Sequence, residues 1–268
     1  QIPLFVLAQF ITTMAAVAGF KADVVHAHWS IPQGITGILV QKIRRIPCIT
    51  TLHGTDVFGL RSSPVKALNS WIIKKSSICT ANSSQTVQGA LRLSRRKDIL
   101  QIPMGVNTDF YKKTKKNGAG RLKEGGNHRV VLFVGRLIPL KGVDYLMDAL
   151  PKVLDRYPET KLILVGDGPE RTRLEQTTAK LGLGQRVVFA GQRSQEELKN
   201  YYASADVFVL PSIIDKTGAT EGMGVVLLEA MASGVPVIGS DTGGIRDIVK
   251  HKITGLLVPQ KDSGALAE

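Results

Sequence analysis

Two glutamates, Glu221 and Glu229, stand in the segment "ATEGMGVVLLEAMASGVPVIGSDTGG", the first among glycines and the second inside the apolar run "VVLLEAMA". An ionised carboxylate in apolar surroundings is costly unless it is paired or hydrogen-bonded. No Lys or Arg lies three or four positions from Glu229, where a helical ion pair would need it. Gly222, Met223 and Gly224 form a glycine-rich approach to a helix, suited to close contact between backbone and phosphate. Glu229 then falls about a turn and a half inside that helix. There it could accept hydrogen bonds from a ribose diol, as the acidic residue of dinucleotide folds does. A neutral buried glutamate bonded to backbone groups is the plainer alternative.

A second constellation lies in "VGRLIPLKG", where Gly135 ends an apolar run and Arg136 and Lys141 follow in the loop leading to a helical pattern. Free N–H groups and the dipole at a helix N-terminus attract anions, and two added cations make a phosphate clamp. Solvated surface charges are the ordinary fate of Arg and Lys, but the position and spacing here favour the clamp. "VGDGPERTRLE" has the form G-x-G with Arg171 at the third glycine position, so it reads as a tight turn into a helix. "TLHGTD" places His53 between a strand and Gly54; a lone histidine is more often structural than catalytic. His26 and His28 in "HAHW" share one strand face, yet two ligands without a third are thin evidence for a metal. No D-x-D pair occurs that would hold a diphosphate-bound magnesium ion. Phosphate is expected to meet Arg and Lys, with no metal and no cofactor.

These residues need strands that end near one another. The runs "ADVVHA", "PCITTLH", "SSICTANS", "RVVLFVG", "KLILVGDG", "RVVFAG", "ADVFVLPS" and "VPVIGSD" alternate with helical stretches. Many are apolar on both faces, as buried parallel strands are. The alternation indicates βαβ units and a doubly wound α/β fold. Ligands of such sheets bind outside the carboxyl ends of the strands, where His53, Arg136 and "DGPE" all fall. The segment 112–127, "KKTKKNGAGRLKEGGN", has the composition of a linker. It divides a domain at 1–111 from one at 128–268, and two halves facing each other would form a cleft.

The 268 residues suffice for two domains of ordinary size, and 43% hydrophobic with 21% charged residues is a soluble globular composition. Two cysteines make no disulfide framework and fit a reducing compartment. The net charge of +13 is one-sided: residues 1–126 carry 18 Lys and Arg against 5 Asp and Glu, while residues 127–268 carry 17 of each. That asymmetry points to an anionic partner for the first half. "SPVKALNSWIIKKSS" could lie on an anionic membrane, although a packed helix with a solvated basic end explains the same residues. "LRLSRRKD" carries cations but no nucleic-acid module accompanies them, so nucleic acid is not expected as a partner. Residues 1–20 have no charge, and polar Gln9, Thr12 and Thr13 favour a buried helix over a membrane span.

Taken together the residues resemble the retaining glycosyltransferases of family 4, the glycosyltransferase group 1 enzymes of GT-B fold. Glu221 to Glu229 matches the family's E-x7-E motif, "VGRLIPLKG" its G-R-L-x-x-x-K-G element, and "HGTD" its His-Gly element. "QIPMGVNTDFY" resembles its P-N-G-V-D segment, with Met104 and Asn107 as departures. The resemblance covers nearly the whole chain. It implies two Rossmann-like domains and a nucleotide-diphosphate sugar, UDP- or GDP-linked, held mainly by the second. It places Glu229 on the ribose, Arg136 and Lys141 on the diphosphate, and the "EGMG" backbone near phosphate and sugar. Glu221 would face the sugar, His53 would reach across from the acceptor half, and "FAGQR", with Gly191 and Arg193, would border the base.

The implied activity is transfer of a hexose-type sugar, with retention, to a lipid-linked or polysaccharide acceptor in bacterial-type cell-surface polysaccharide synthesis. The expected place is the cytoplasm; only the basic first half points further, to the inner face of the membrane. A nucleotide-sugar epimerase or hydrolase of the same fold, or a non-catalytic nucleotide-sugar binder, is the alternative. The chain reads as a fragment, with the family's first strand and Gly-rich loop expected before Gln1 and its closing helices after Glu268.

Overall fold

Each of the eight apolar runs becomes a parallel strand between helices. The computed structural model describes residues 2–59, 62–112 and 128–268. The chain packs as two units, Gln1–Met104 with Lys216–Met223, and Gly105–Asp215 with Gly224–Glu268. Residues 105–111, expected to close the first domain, group with the second unit. The expected linker lies, apart from Lys112, outside the described residues.

The first unit runs α1 (Ile2–Phe20), β1 (Val25–His28), α2 (Ile35–Arg44), β2 (Cys48–Leu52), α3 (Thr55–Phe58), α4 (Ser63–Lys75), β3 (Ile78–Ala81), α5 (Ser84–Ser94) and β4 (Ile99–Gln101). Its strands pair in the order β1-β2-β3-β4, all parallel. Ile38, Cys48 and Ile72 form one core cluster, and Leu52, Ile73, Cys79 and Ala90 another. Gly37 lets α2 lie on β2, since a Cβ there would stand 2.5 Å from Cys48 Sγ.

The second unit runs α6 (Thr108–Tyr111), β5 (Val130–Val134), α7 (Val143–Arg156), β6 (Lys161–Val165), α8 (Arg171–Lys180), β7 (Val187–Gly191), α9 (Gln195–Ser204), β8 (Val207–Leu210), α10 (Val225–Ala232), β9 (Val237–Ser240), α11 (Ile245–Ile248), β10 (Leu256–Val258) and α12 (Ser263–Ala267). The parallel sheet has the order β10-β9-β8-β5-β6-β7. Strand order therefore reverses between β5 and β8, which is where a doubly wound sheet opens a crevice. Leu132, Phe133, Leu162, Ile163 and Phe208 are buried between the helical layers. Helix α7 buries Val143, Leu146, Met147 and Leu150, the spacing of one helical face.

Two expectations about the basic half change. Residues 2–20 do form a helix, but α1 is not a buried one. It packs on α2, and of its described side chains only Val17 is buried, while Leu4, Phe5, Leu7, Ile11 and Phe20 are exposed. An uncharged sequence reports that a helix avoids charge, not that something covers it. No helix among the described residues is long and apolar enough to cross a membrane. In α4, Ile72 and Ile73 are fully buried and Trp71 meets the Lys42 ammonium, 5.1 Å from the ring centre. The packed helix with a basic end is the observed arrangement. Arg96, one of the cations of "LRLSRRKD", is structural: its guanidinium donates to the carbonyls of Ile73, Ser76 and Ser77 and pairs with Asp98 at 2.8 Å.

Candidate functional site

In the second unit the loops after β5, β6 and β7 are joined backbone to backbone. Gly135 N–H donates to Val165 O, Leu137 N–H to Asp167 O, and Gly166 N–H to Gly191 O, at 2.8–2.9 Å. A Cβ on Gly166, whose φ is +130°, would stand 1.9 Å from Gly135 O, and one on Gly168 would stand 2.3 Å from Leu137 O. The glycines of "VGDG" thus serve loop-on-loop packing. Above them is a cavity of about 540 Å³ lined by Gly135 and Arg136 from β5, Gly166 to Gly168 from β6, and Gln192 and Arg193 from β7. Arg136 is exposed; Arg193 pairs with Glu197 at 3.2 Å and lies over the Tyr201 ring. An apolar hollow of about 260 Å³ lies at the amino ends of β5, β6 and β8, beside α7 and α12. The chemistry of such sheets belongs to the other ends.

The loop after β5 also meets the loop after β8. Gly142, at φ +63°, would bring a Cβ within 2.0 Å of Pro211 O, and Ile213 N–H donates to Leu140 O at 2.8 Å. Lys141 lies in the turn Pro139–Lys141 just before α7, its Cε beside Gly135. Helices α7 and α10 both start on a left-handed glycine, Gly142 and Gly224, with no side-chain cap. First-turn N–H groups are thereby left for an anion.

Glu229 is half-buried on α10, and its Oε2 accepts a 2.7 Å hydrogen bond from the hydroxyl of Tyr202 on α9. Tyr202 is fully buried. Burial first, then the Glu229 charge, pushes its ionisation far above the ordinary range. The Tyr111 hydroxyl, on α6, is raised by burial and by the same carboxylate.

In the first unit His53 directly follows β2. Its ring nitrogen Nε2 is 3.0 Å from His28 Nδ1, and the Trp29 ring is stacked on it at 5.9 Å between centres. His53 N–H donates to Asp56 Oδ1 at 2.9 Å and Ser30 N–H to Asp56 Oδ2 at 3.2 Å. Burial raises the Asp56 pKa, against the pull of those two hydrogen bonds. His26 holds Thr51 Oγ1 at 2.7 Å. Burial lowers the pKa of His26 and His53, with neighbouring imidazoles adding to it and Asp56 opposing it at His53. The segment Lys216–Met223 packs here: a Cβ on Gly222 would lie 2.2 Å from His53 O, and Met104 N–H meets Met223 Sδ at 3.1 Å. Glu221 is half-buried in that segment.

Two groups thus emerge. Gly135, Arg136, Lys141, Gly191, Arg193, Gly224 and Glu229 belong to the second unit, and His53, Glu221, Gly222 and Met223 to the first. Asp56, His28, Tyr111 and Tyr202 complete these constellations and were not among the expected site residues. For Asp56 the signal was its place in "HGTD". For the tyrosines there was none, since their partner is set by helix packing. No group of three or more His, Cys, Asp or Glu among the described residues is arranged to hold a metal ion.

Two parallel sheets with flanking helices place the chain in the GT-B class of α/β proteins. Residues 2–110 match the family model described as Glycosyltransferase Family 4, and residues 115–268 the one described as Glycosyl transferases group 1. The chain belongs to the group 1 glycosyl transferase family. It is 33% identical to N-acetyl-alpha-D-glucosaminyl L-malate synthase of Bacillus anthracis, over 100% of this chain and 69% of that one. An uncharacterized glycosyltransferase of Methanocaldococcus jannaschii is 31% identical over 92% of this chain. The chain spans 65% of that relative's length. Among solved structures, HepE of Anabaena in complex with UDP aligns with a TM-score of 0.82 and 26% identity, over 96% of this chain and 70% of that one.

Proposed function

We propose that the protein is a retaining glycosyltransferase that moves a hexose-type sugar from a nucleotide-diphosphate donor to a lipid-linked or polysaccharide acceptor in cell-surface polysaccharide synthesis. The observation that carries this reading is the pairing of loops at the β5/β8 reversal, with Arg136 and Lys141 after one strand and Gly224 to Glu229 after the other. A relative that makes a glucosaminyl malate and a structural neighbour that holds UDP support it.

In this reading Arg136, Lys141 and the first-turn amides of α7 and α10 take the donor diphosphate, and Glu229 takes the ribose. Gly191 and Arg193 border the base. The bond from the anomeric carbon to the diphosphate oxygen breaks first, with its electron pair leaving on the diphosphate. An acceptor hydroxyl then bonds to the same face of that carbon, and its proton passes to the departing phosphate. The protein's contribution is electrostatic: cations and amides fixed in advance where negative charge grows. Glu221 faces the sugar and His53, neutral at pH 7 because its pKa is lowered, lines the acceptor side. No metal ion is required, since the clamp supplies the positive charge.

A screen of UDP- and GDP-sugars for saturable binding, followed by transfer assays with Glu221→Ala and Lys141→Ala, tests the reading. Each substitution is expected to lower turnover by about a hundredfold or more with the fold intact. Full turnover in either variant would remove that residue from the site. Binding without any transfer or hydrolysis would favour a nucleotide-sugar binder, and release of free sugar a hydrolase.

A further inference from the structure

The apolar setting of Glu229 poses a problem of orientation. A half-buried glutamate has three rotatable bonds, and a ribose needs both of its hydroxyls met by one carboxylate in one pose. We infer that Tyr202 is a positioning residue for Glu229, holding Oε2 by its hydroxyl so that the carboxylate's remaining lone pairs face the two ribose hydroxyls. This rests on the ribose role of Glu229 proposed above.

Three observations support it. The 2.7 Å hydrogen bond joins a fully buried phenol to the carboxylate from a different helix, so it is a tertiary contact and not a local one. The Tyr202 ring is fixed by neighbours on two other elements, edge-to-face with Tyr111 at 5.8 Å and tilted against Phe208 at 5.7 Å between centres. A hydroxyl anchored in this way can donate in only one direction, towards α10; its other near neighbour is Val226 O at 3.4 Å. The buried hydroxyl of Tyr111 has no hydrogen-bond partner among the described residues, although its environment registers the Glu229 charge. Burial raises the pKa of Tyr202, which keeps its hydroxyl a donor in the neutral range.

The test compares UDP and GDP with their 2′-deoxy counterparts by calorimetric titration of the protein, because a polar site rejects a ligand that lacks the group it is built to bond. The unsubstituted protein is expected to prefer the ribonucleotide by about tenfold, the worth of one hydrogen bond to a charged group. Tyr202→Phe removes one oxygen and should reduce that preference to about threefold or less, with deoxynucleotide affinity changed by no more than about twofold. In a Glu229→Gln background, Tyr202→Phe should leave the preference where it is, since the positioned carboxylate is gone. An unchanged preference in Tyr202→Phe would overturn the inference, as would a parallel loss of both affinities, the mark of a merely structural tyrosine. A protein that binds both sugars equally would refute the ribose role of Glu229 and this inference with it. A protein that binds neither UDP nor GDP would refute the donor reading itself.

Discussion

His53 and Asp56 show how much of a residue's chemistry depends on its neighbours. The imidazole is packed against His28 and Trp29 and held at its backbone by a buried carboxylate. Its pKa and that of His26 lie below the ordinary 6.5, chiefly through burial. The unfolded chain therefore binds more protons than the folded one just below pH 6.5. Stability is accordingly full above pH 6.5 and declines as pH falls through the lowered folded values. Proton NMR titration should give midpoints below 6.5 for both rings, and denaturant unfolding should show reduced stability at pH 5.5. A midpoint above 6.5 for His53 would contradict the packing described. The "HGTD" motif made His53 legible in the sequence, but not the role of the acid beside it, Asp56. The His28 partnership was not, because it depends on the pairing of β1 with β2, which sets His28 opposite Thr51.

At the scale of elements, the loops that carry the site are set by glycines whose missing Cβ makes room for a neighbouring carbonyl. Gly166→Ala would force a Cβ to 1.9 Å from Gly135 O and Gly142→Ala to 2.0 Å from Pro211 O, both at positive φ. Each should cost about 2–4 kcal/mol or more, combining overpacking with backbone strain. Gly182→Ala, at φ +67° with nothing within 4 Å, should cost only about 1 kcal/mol. Thermal unfolding of the three variants checks this ranking, and equal losses would mean that the loops do not pack as described. The central strands were legible because β5, β6 and β8 are apolar on both faces. β4 and β10 were not, since each is three residues long, and Leu100 and Leu256 are exposed. Nor did the sequence show that α9 would bring Tyr202 to α10, because a helical period gives a buried face but not its partner.

For the molecule as a whole, the charge asymmetry is the feature that packing qualifies most. Ile72 and Ile73 of α4 are occupied within the fold, while Val65 and Leu68 are exposed, and Arg96 is committed to backbone carbonyls. Lys42, Arg44, Arg45, Lys74, Lys75, Arg92, Arg95 and Lys97 remain exposed on the first unit. Attraction to an anionic surface through these cations is electrostatic, while the exposed apolar side chains of α1 offer a separate, salt-insensitive contact. Co-sedimentation with vesicles containing phosphatidylserine should show binding at 50 mM salt and its loss near 500 mM, where the screening length falls to about 4–5 Å. Binding that survives high salt would mean an apolar contact instead, and no binding at low salt would remove the membrane from the proposed function. The presence of parallel α/β sheets was legible from the apolar runs on either side of residue 112. The place of Lys216–Met223 was not, because that segment lies far along the chain from the unit it joins.

The stacking of Trp29 on His53 makes the first unit optically distinct. Both tryptophans of the chain, Trp29 and Trp71, lie in that unit, whereas the second unit holds only tyrosine and phenylalanine as aromatic chromophores. Indole emission excited at the red edge thus arises from one unit alone. A protonated imidazole quenches an adjacent indole, so the emission of Trp29 is a built-in optical readout of the charge on His53. Trp71, under the Lys42 ammonium, is the second indole of that unit.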